Sequence, residues 1–252
     1  MIKRFRKPLL FALALLPVSA LGAYFTALYQ LDFLDEATLA QVMEQLGSTG
    51  AFIAVYVVQI LVYMLVMGFV GHVLAEKLGL MKPIRFEKAA LMKTLPLCAA
   101  AGLLFSLDYW TFGAWIPGVR EATDTTLSLH VVMASVLYGG IVEEIMMRLF
   151  LMSLLAWLGW KVFFRKQEKP PLLVIAAANV IAALLFAAGH LPATAMVFGS
   201  LTPLILVRCF LLNGGFGLFF GWLYRRYGIQ YAILGHMMAH MVSKLIWVLF
   251  VS

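Results

Sequence analysis

The stretch SLHVVMASVLYGGIVEEIMMRLFLMSLLAWLGW (residues 128–160) decides the fold. It is apolar nearly throughout, and its charges, Glu143, Glu144 and Arg148, lie close together. A bilayer core takes about 20 helical residues, so this run is too long for one straight crossing. Gly139 and Gly140 offer a place for it to bend. Six further apolar segments surround it, near 8–30, 50–73, 94–110, 172–190, 203–224 and 229–250. Backbone that crosses a bilayer must satisfy its own hydrogen bonds. The pattern therefore predicts an all-α integral membrane protein, a polytopic bundle of about seven transmembrane helices enclosing an intramembrane site.

Composition agrees. The chain has 252 residues, 63% hydrophobic and 12% charged, with a mean hydropathy of +0.96. Soluble domains carry about 25% charged residues, so a soluble enzyme, a disordered chain and a secreted disulfide scaffold are excluded. The two cysteines, Cys98 and Cys209, sit in apolar stretches and read as small core residues.

The net charge of +7 is distributed by connection. Lys3, Arg4, Arg6 and Lys7 precede the first span. The second connection is basic through Lys77, Lys82, Arg85, Lys88 and Lys93, the fourth through Lys161, Arg165, Lys166 and Lys169, and Arg225 and Arg226 close the sixth span. The alternate connections are acidic: Asp32, Asp35, Glu36 and Glu44, then Asp108, Glu121 and Asp124 with Arg120. By the positive-inside rule this predicts a cytoplasmic N-terminus and an external C-terminus. The basic excess is then a topology signal, and nucleic acid is not an expected partner. The basic start, the apolar run and Val18-Ser19-Ala20 or Leu21-Gly22-Ala23 also resemble a cleavable signal. A retained first helix is the preferred reading, because its removal leaves the next segment without its cytoplasmic anchor. Region 35–46 suits a short interfacial helix, and Gly217 with Gly221 suits close helix packing.

Five charges fall inside spans: Glu143, Glu144, Arg148, Arg208 and Lys244. Intramembrane ionisable residues are costly and mark functional sites. Glu144 and Arg148, four apart, share a helix face and can neutralise each other. Glu143 is rotated away and is the less engaged carboxylate, suited to general acid or base work. His190 follows small neighbours, Ala187, Ala188 and Gly189, that leave room beside its ring. His236 and His240 share a stripe with Lys244 one turn further on. Their spacing suits metal ligands, haem ligands or two hydrogen-bond donors aimed at one point. Along the fifth span His190 lies about 27 Å from the start, while His236 lies about 10 Å into the last. The two meet only if the fifth helix starts deep, tilts or bends, or if the span boundaries lie elsewhere.

At Glu143-Glu144-x-x-x-Arg148, Phe186-x-x-x-His190 and His236-x-x-x-His240 the sequence resembles the CAAX protease and bacteriocin-processing (CPBP, or Abi) family of intramembrane endopeptidases. The stretch from Gly221 to Gly228 shares that look, and the resemblance covers about 128–250. It divides the chain into N-terminal transmembrane helices (1–127) and a catalytic core (128–252). One position departs: His240 stands where the family usually has Asn.

The resemblance implies hydrolysis of a peptide bond within the membrane, in a membrane-associated, leader or CAAX-like peptide. Glu143 is expected to activate water with His190, His236 and His240 to stabilise the oxyanion, and Glu144 and Arg148 to orient the site. A mechanism without a cofactor is favoured, since no His-Glu-x-x-His is present. Zinc is the alternative, with Glu143, His190, His236 and His240 as its ligands. Membrane lipids and a peptide or membrane-protein substrate are the expected partners, and a bacterial inner membrane the expected location. The competing function is a proton- or ion-coupled transporter in which Glu143, Glu144, Arg148, Arg208 and the histidines form a relay.

Overall fold

A computed structural model describes residues 2–125 and 127–251. The side chains of Lys3, Arg4 and Asp124, counted above in the charge pattern, lie outside the described ones. Among the described residues the chain is helical with no strand. In chain order the helices are α1 (Ile2–Asp32), α2 (Glu36–Leu46), α3 (Thr49–Leu78), α4 (Lys88–Ser106), α5 (Pro117–Thr125), α6 (Leu129–Met133), α7 (Ser153–Phe163), α8 (Leu172–Gly189), α9 (Leu191–Phe198), α10 (Pro203–Cys209), α11 (Gly215–Tyr227) and α12 (Ile229–Phe250).

Among the described residues six stretches are long and apolar enough to cross a membrane: Phe5–Asp32, Thr49–Leu78, Lys88–Ala114, Leu172–Phe198, Pro203–Tyr227 and Ile229–Phe250. They coincide with the six segments that flank 128–160 in the sequence. The protein is an integral membrane protein. The 128–160 run is itself one unbroken helix over 129–163, in which α6 and α7 are joined by wide π turns at Ala134–Glu143 and Ile145–Met152. The seventh membrane-length helix is thus the one whose register is altered, and it lies at the centre of the bundle. π turns of this kind are rare and gather at functional sites. Region 35–46 forms α2, capped by Asp35, whose Oδ1 accepts the Thr38 N–H at 2.7 Å. That bond to the backbone N–H holds the Asp35 carboxyl below the usual range.

A spanning helix has apolar residues on both its faces, and α3 shows how they are divided. Val55, Val58, Val62 and Val66 form its exposed stripe, suited to lipid tails, while Ile60, Met64, Gly68 and Gly71 face the protein. Lipid is as apolar as leucine, so the inward faces gain by close packing of small residues. α1 buries Ala12, Ser19, Ala23 and Ala27. A Cβ on Gly68 would sit 3.5 Å from Ala12 Cβ, and one on Gly71 would strike the Leu149 carbonyl oxygen at 2.8 Å.

The glycines of the central helix do a related job. A Cβ on Gly140 would overlap Met237, and one on Gly139 would lie 3.3 Å from His240 Nε2. The helix continues through both residues. They admit α12 to close range and so bring its histidines to the glutamates. Gly221 and Gly217 act likewise where α11 meets α8, Gly221 against Asn179 and Gly217 against Ala183 and the Arg148 guanidinium.

Candidate active site

All six residues singled out in the three motifs come together, from the central helix, the end of α8 and the first half of α12. Glu144 has no solvent exposure, and Arg148 has 2%. Glu144 Oε1 lies 3.1 Å from an Arg148 terminal nitrogen and accepts from His236 Nδ1 at 2.8 Å. The arginine contact is an ion pair without hydrogen-bond alignment, and neither Arg148 terminal nitrogen has an aligned acceptor among the described residues. The guanidinium is instead held between two rings, 4.7 Å from the centre of Phe186 and 5.6 Å from that of Phe220. Desolvated cation–π contacts of this type contribute about 2 kcal/mol.

Glu143 differs from its neighbour. Its side chain is 20% exposed, with Oε1 3.9 Å from His190 Nε2 and Oε2 4.0 Å from His236 Nε2. It is the one carboxylate of the pair open to a small molecule, and imidazoles flank it on two sides.

The hydrogen bonds assign the histidine protons. His190 Nδ1 lies 2.8 Å from the Phe186 carbonyl oxygen, which only accepts, so Nδ1 carries the proton and Nε2 offers its lone pair to the Glu143 side. His236 Nδ1 likewise donates to Glu144. With its proton on Nδ1, the neutral His236 ring presents Nε2 as an acceptor, so the proton in the 3.2 Å contact between the two Nε2 atoms is carried by His240. The His236 ring is fixed by stacking on Phe220 at 4.5 Å and 16°. Phe186, the aromatic residue of its motif, meets His190 edge-on at 4.5 Å and His236 at 6.3 Å. That residue thus serves as a hub for both histidines and Arg148.

His190 and His236 meet although they lie at different distances along their helices. α8 runs over the range expected from sequence, so the boundaries are not the reason.

Arg208 is placed elsewhere. It donates to Asp108 from Nε at 2.9 and 3.2 Å and from a terminal nitrogen at 2.5 Å. Asp108, which sequence reading assigned to an external connection, is buried. An arginine within a span requires such a counter-charge, and that requirement was the available signal for Asp108. Phe220 gave no signal, being one aromatic among many. Lys244 is buried on α12 one turn beyond His240.

Among the described residues no three histidines, cysteines or carboxylates are grouped as they would need to be to hold a metal ion. Glu143 is about 4 Å from each of two imidazoles, and His236 Nε2 is engaged with His240. No step below is routed through a metal.

The arrangement offers a partly open base, a lone pair beside it, and a histidine pair supported by a buried carboxylate. Residues 125–242 match the family described as Rce1-like, type II CAAX prenyl endopeptidase Rce1-like. No curated protein and no solved structure matches the chain.

Proposed function

Since residues 125–242 are an Rce1-like type II CAAX prenyl endopeptidase domain within a membrane-spanning chain, we propose that this membrane protease cleaves its peptide by a glutamate mechanism centred on Glu143. Water is positioned with one hydrogen toward Glu143 Oε1 and the other toward the His190 Nε2 lone pair. The water oxygen attacks the scissile carbonyl carbon as Glu143 takes a proton. The oxyanion is met by the proton that His240 carries. Collapse breaks the C–N bond, and the Glu143 carboxyl returns its proton to the leaving amine. Glu144 keeps His236 in orientation and supports positive charge on it, and Arg148 balances Glu144.

The substrate class proposed is a membrane-associated peptide of CAAX or leader type, and the location a bacterial inner membrane with the N-terminus cytoplasmic. No cofactor is required in this reading. The observation that carries it is the position of Glu143, the partly exposed carboxylate between His190 Nε2 and His236 Nε2. The test is cleavage of a prenylated CAAX peptide by the purified protein in lipid nanodiscs. Glu143→Gln is expected to lose about 10³-fold in kcat with an unchanged melting temperature. A folded Glu143→Gln variant with full activity overturns the mechanism.

A further inference from the structure

We propose that Lys244 is a specificity-determining residue that binds the free C-terminal carboxylate of the substrate, so that the site is built for a peptide bond close to a chain end. The proposal rests on the reading of the site as a peptidase, and within that reading it chooses the CAAX type over the leader type.

The first observation is an uncompensated cation. Lys244 is 7% exposed. A charge taken out of water needs a counter-charge, and the other two cations inside the spans have one: Arg148 meets Glu144 and Arg208 meets Asp108. The remaining carboxylate of the site, Glu143, lies between His190 and His236. Among the described residues the Lys244 ammonium makes no ion pair and no hydrogen bond, although it carries three donors, and the exposure that remains includes it.

The second observation is its place. α12 is a regular helix from Ile229 to Phe250. Lys244 therefore follows His240 by about one turn, roughly 6 Å along the axis, and its Cα–Cβ bond leans back toward His240. It also falls seven residues after Met237, on the helix face that packs on Gly140 of the central helix. On the adjoining flank of α12, Met241, Leu245 and Val248 are more than half exposed. Lys244 thus stands at the seam between the central helix and the lipid-facing side of α12, next to the His236–His240 pair.

The reaction supplies an anion for that place. In a C-terminal C-a-a-X box every peptide bond lies within three residues of the chain end, at most about 10 Å when extended. With the scissile carbonyl at the His236–His240 pair, a carboxylate at that range is within reach of Lys244 on its four-carbon stem. A leader peptide cleaved far from its end brings no carboxylate there. Ammonium and carboxylate meet in a charge-assisted hydrogen bond, and the pairing that the protein itself leaves unmade is completed by the substrate.

The probe is a pair of prenylated CAAX peptides that differ only at the end, free acid and amide, with the protein in nanodiscs. Wild type is expected to prefer the acid by about tenfold in kcat/KM, carried by KM. Lys244→Met keeps the length of the stem without the charge and is expected to bring that preference to about one; Lys244→Gln is expected to do the same. Both variants are expected to raise the melting temperature, because an unpaired buried charge is removed. A wild type indifferent to the end group overturns the proposal. So does a loss in kcat that is equal for both peptides, which would place the lysine at the oxyanion, and so does a lowered melting temperature in both variants, which would show a partner within the protein. A second measurement needs no turnover. In Glu143→Gln protein, fluorescence polarisation of the same labelled peptides is expected to show the acid bound about tenfold more tightly than the amide, and Lys244→Met in that background to erase the difference. A wild type that cleaves neither peptide while that difference is present counts against the peptidase reading and leaves the carboxylate site supported.

Discussion

Two arginines are held inside the bundle by carboxylates, and the two pairs are built differently. Arg208 meets Asp108 through both Nε and a terminal nitrogen, in the fork geometry that saturates a carboxylate. Arg148 meets Glu144 obliquely, and Glu144 gives the same oxygen, Oε1, to His236. The Asp108–Arg208 pair is closed on itself and joins the end of the third span to the sixth. The Glu144–Arg148 pair is open: it hands its charge to a histidine and leans on the rings of Phe186 and Phe220. Both carboxylates are buried, although Arg208 is 18% exposed and Arg148 only 2%, so burial of the carboxylate alone does not separate a structural ion pair from one built into a site. The difference lies in whether a third, titratable group shares the carboxylate.

That contrast is breakable. The largest effect is expected from Glu144→Gln, which leaves Arg148 as an uncompensated buried charge and gives His236 a neutral amide oxygen in place of a carboxylate. Loss of a buried partner costs about 3–5 kcal/mol, seen as a lowered melting temperature, and the surviving folded protein should lose about 10²–10³-fold in kcat. Asp108→Asn should cost comparable stability, since it strands Arg208, yet activity per folded molecule should remain within about threefold. If Asp108→Asn abolishes turnover in folded protein, the division between closed and open pairs is wrong. The double change Asp108→Leu with Arg208→Met sharpens it, because replacing a whole buried pair by apolar groups is often neutral or stabilising.

His240 probes the donor end. His240→Ala should lose about 10²-fold, as for removal of one oxyanion donor, whereas His240→Asn retains an N–H and should stay within about fivefold of wild type. Equal losses for both would mean that the imidazole itself is required. The smallest effect is expected from chelation. Treatment with a strong chelator, checked by metal analysis, should leave cleavage unchanged. Activity that disappears and returns with zinc would overturn the metal-free proposal.

Much of the fold was legible because a membrane imposes a one-dimensional rule. Each span must be a helix of fixed minimum length, so the apolar runs near 172–190 and 229–250 reappear as α8 and α12 within a residue. Residue type likewise pointed to Glu143, Glu144, Arg148, His190, His236 and His240, because a titratable group in lipid needs a reason to be there. Less was legible about how they are arranged. No residue pattern marks the π turns of the central helix, since their dihedrals stay close to helical values and their stability comes from neighbours. Gly139 and Gly140 read as a place to bend, and packing makes them the surface on which α12 sits. Arg208 looked like a member of the polar cluster, and Asp108 like a connection acid, until packing paired them across the chain.

The sequence by itself thus determined that the protein is a helical membrane protein, where its spans lie and which side chains are too costly to be incidental. These follow from local composition and the energetics of burying charge. Only the tertiary structure decided which carboxylate is open and which is closed, which ring fixes which histidine, and which arginine belongs to the site. Those outcomes depend on contacts between residues about a hundred positions apart, and contacts at that range are set by how close small residues let the helices come.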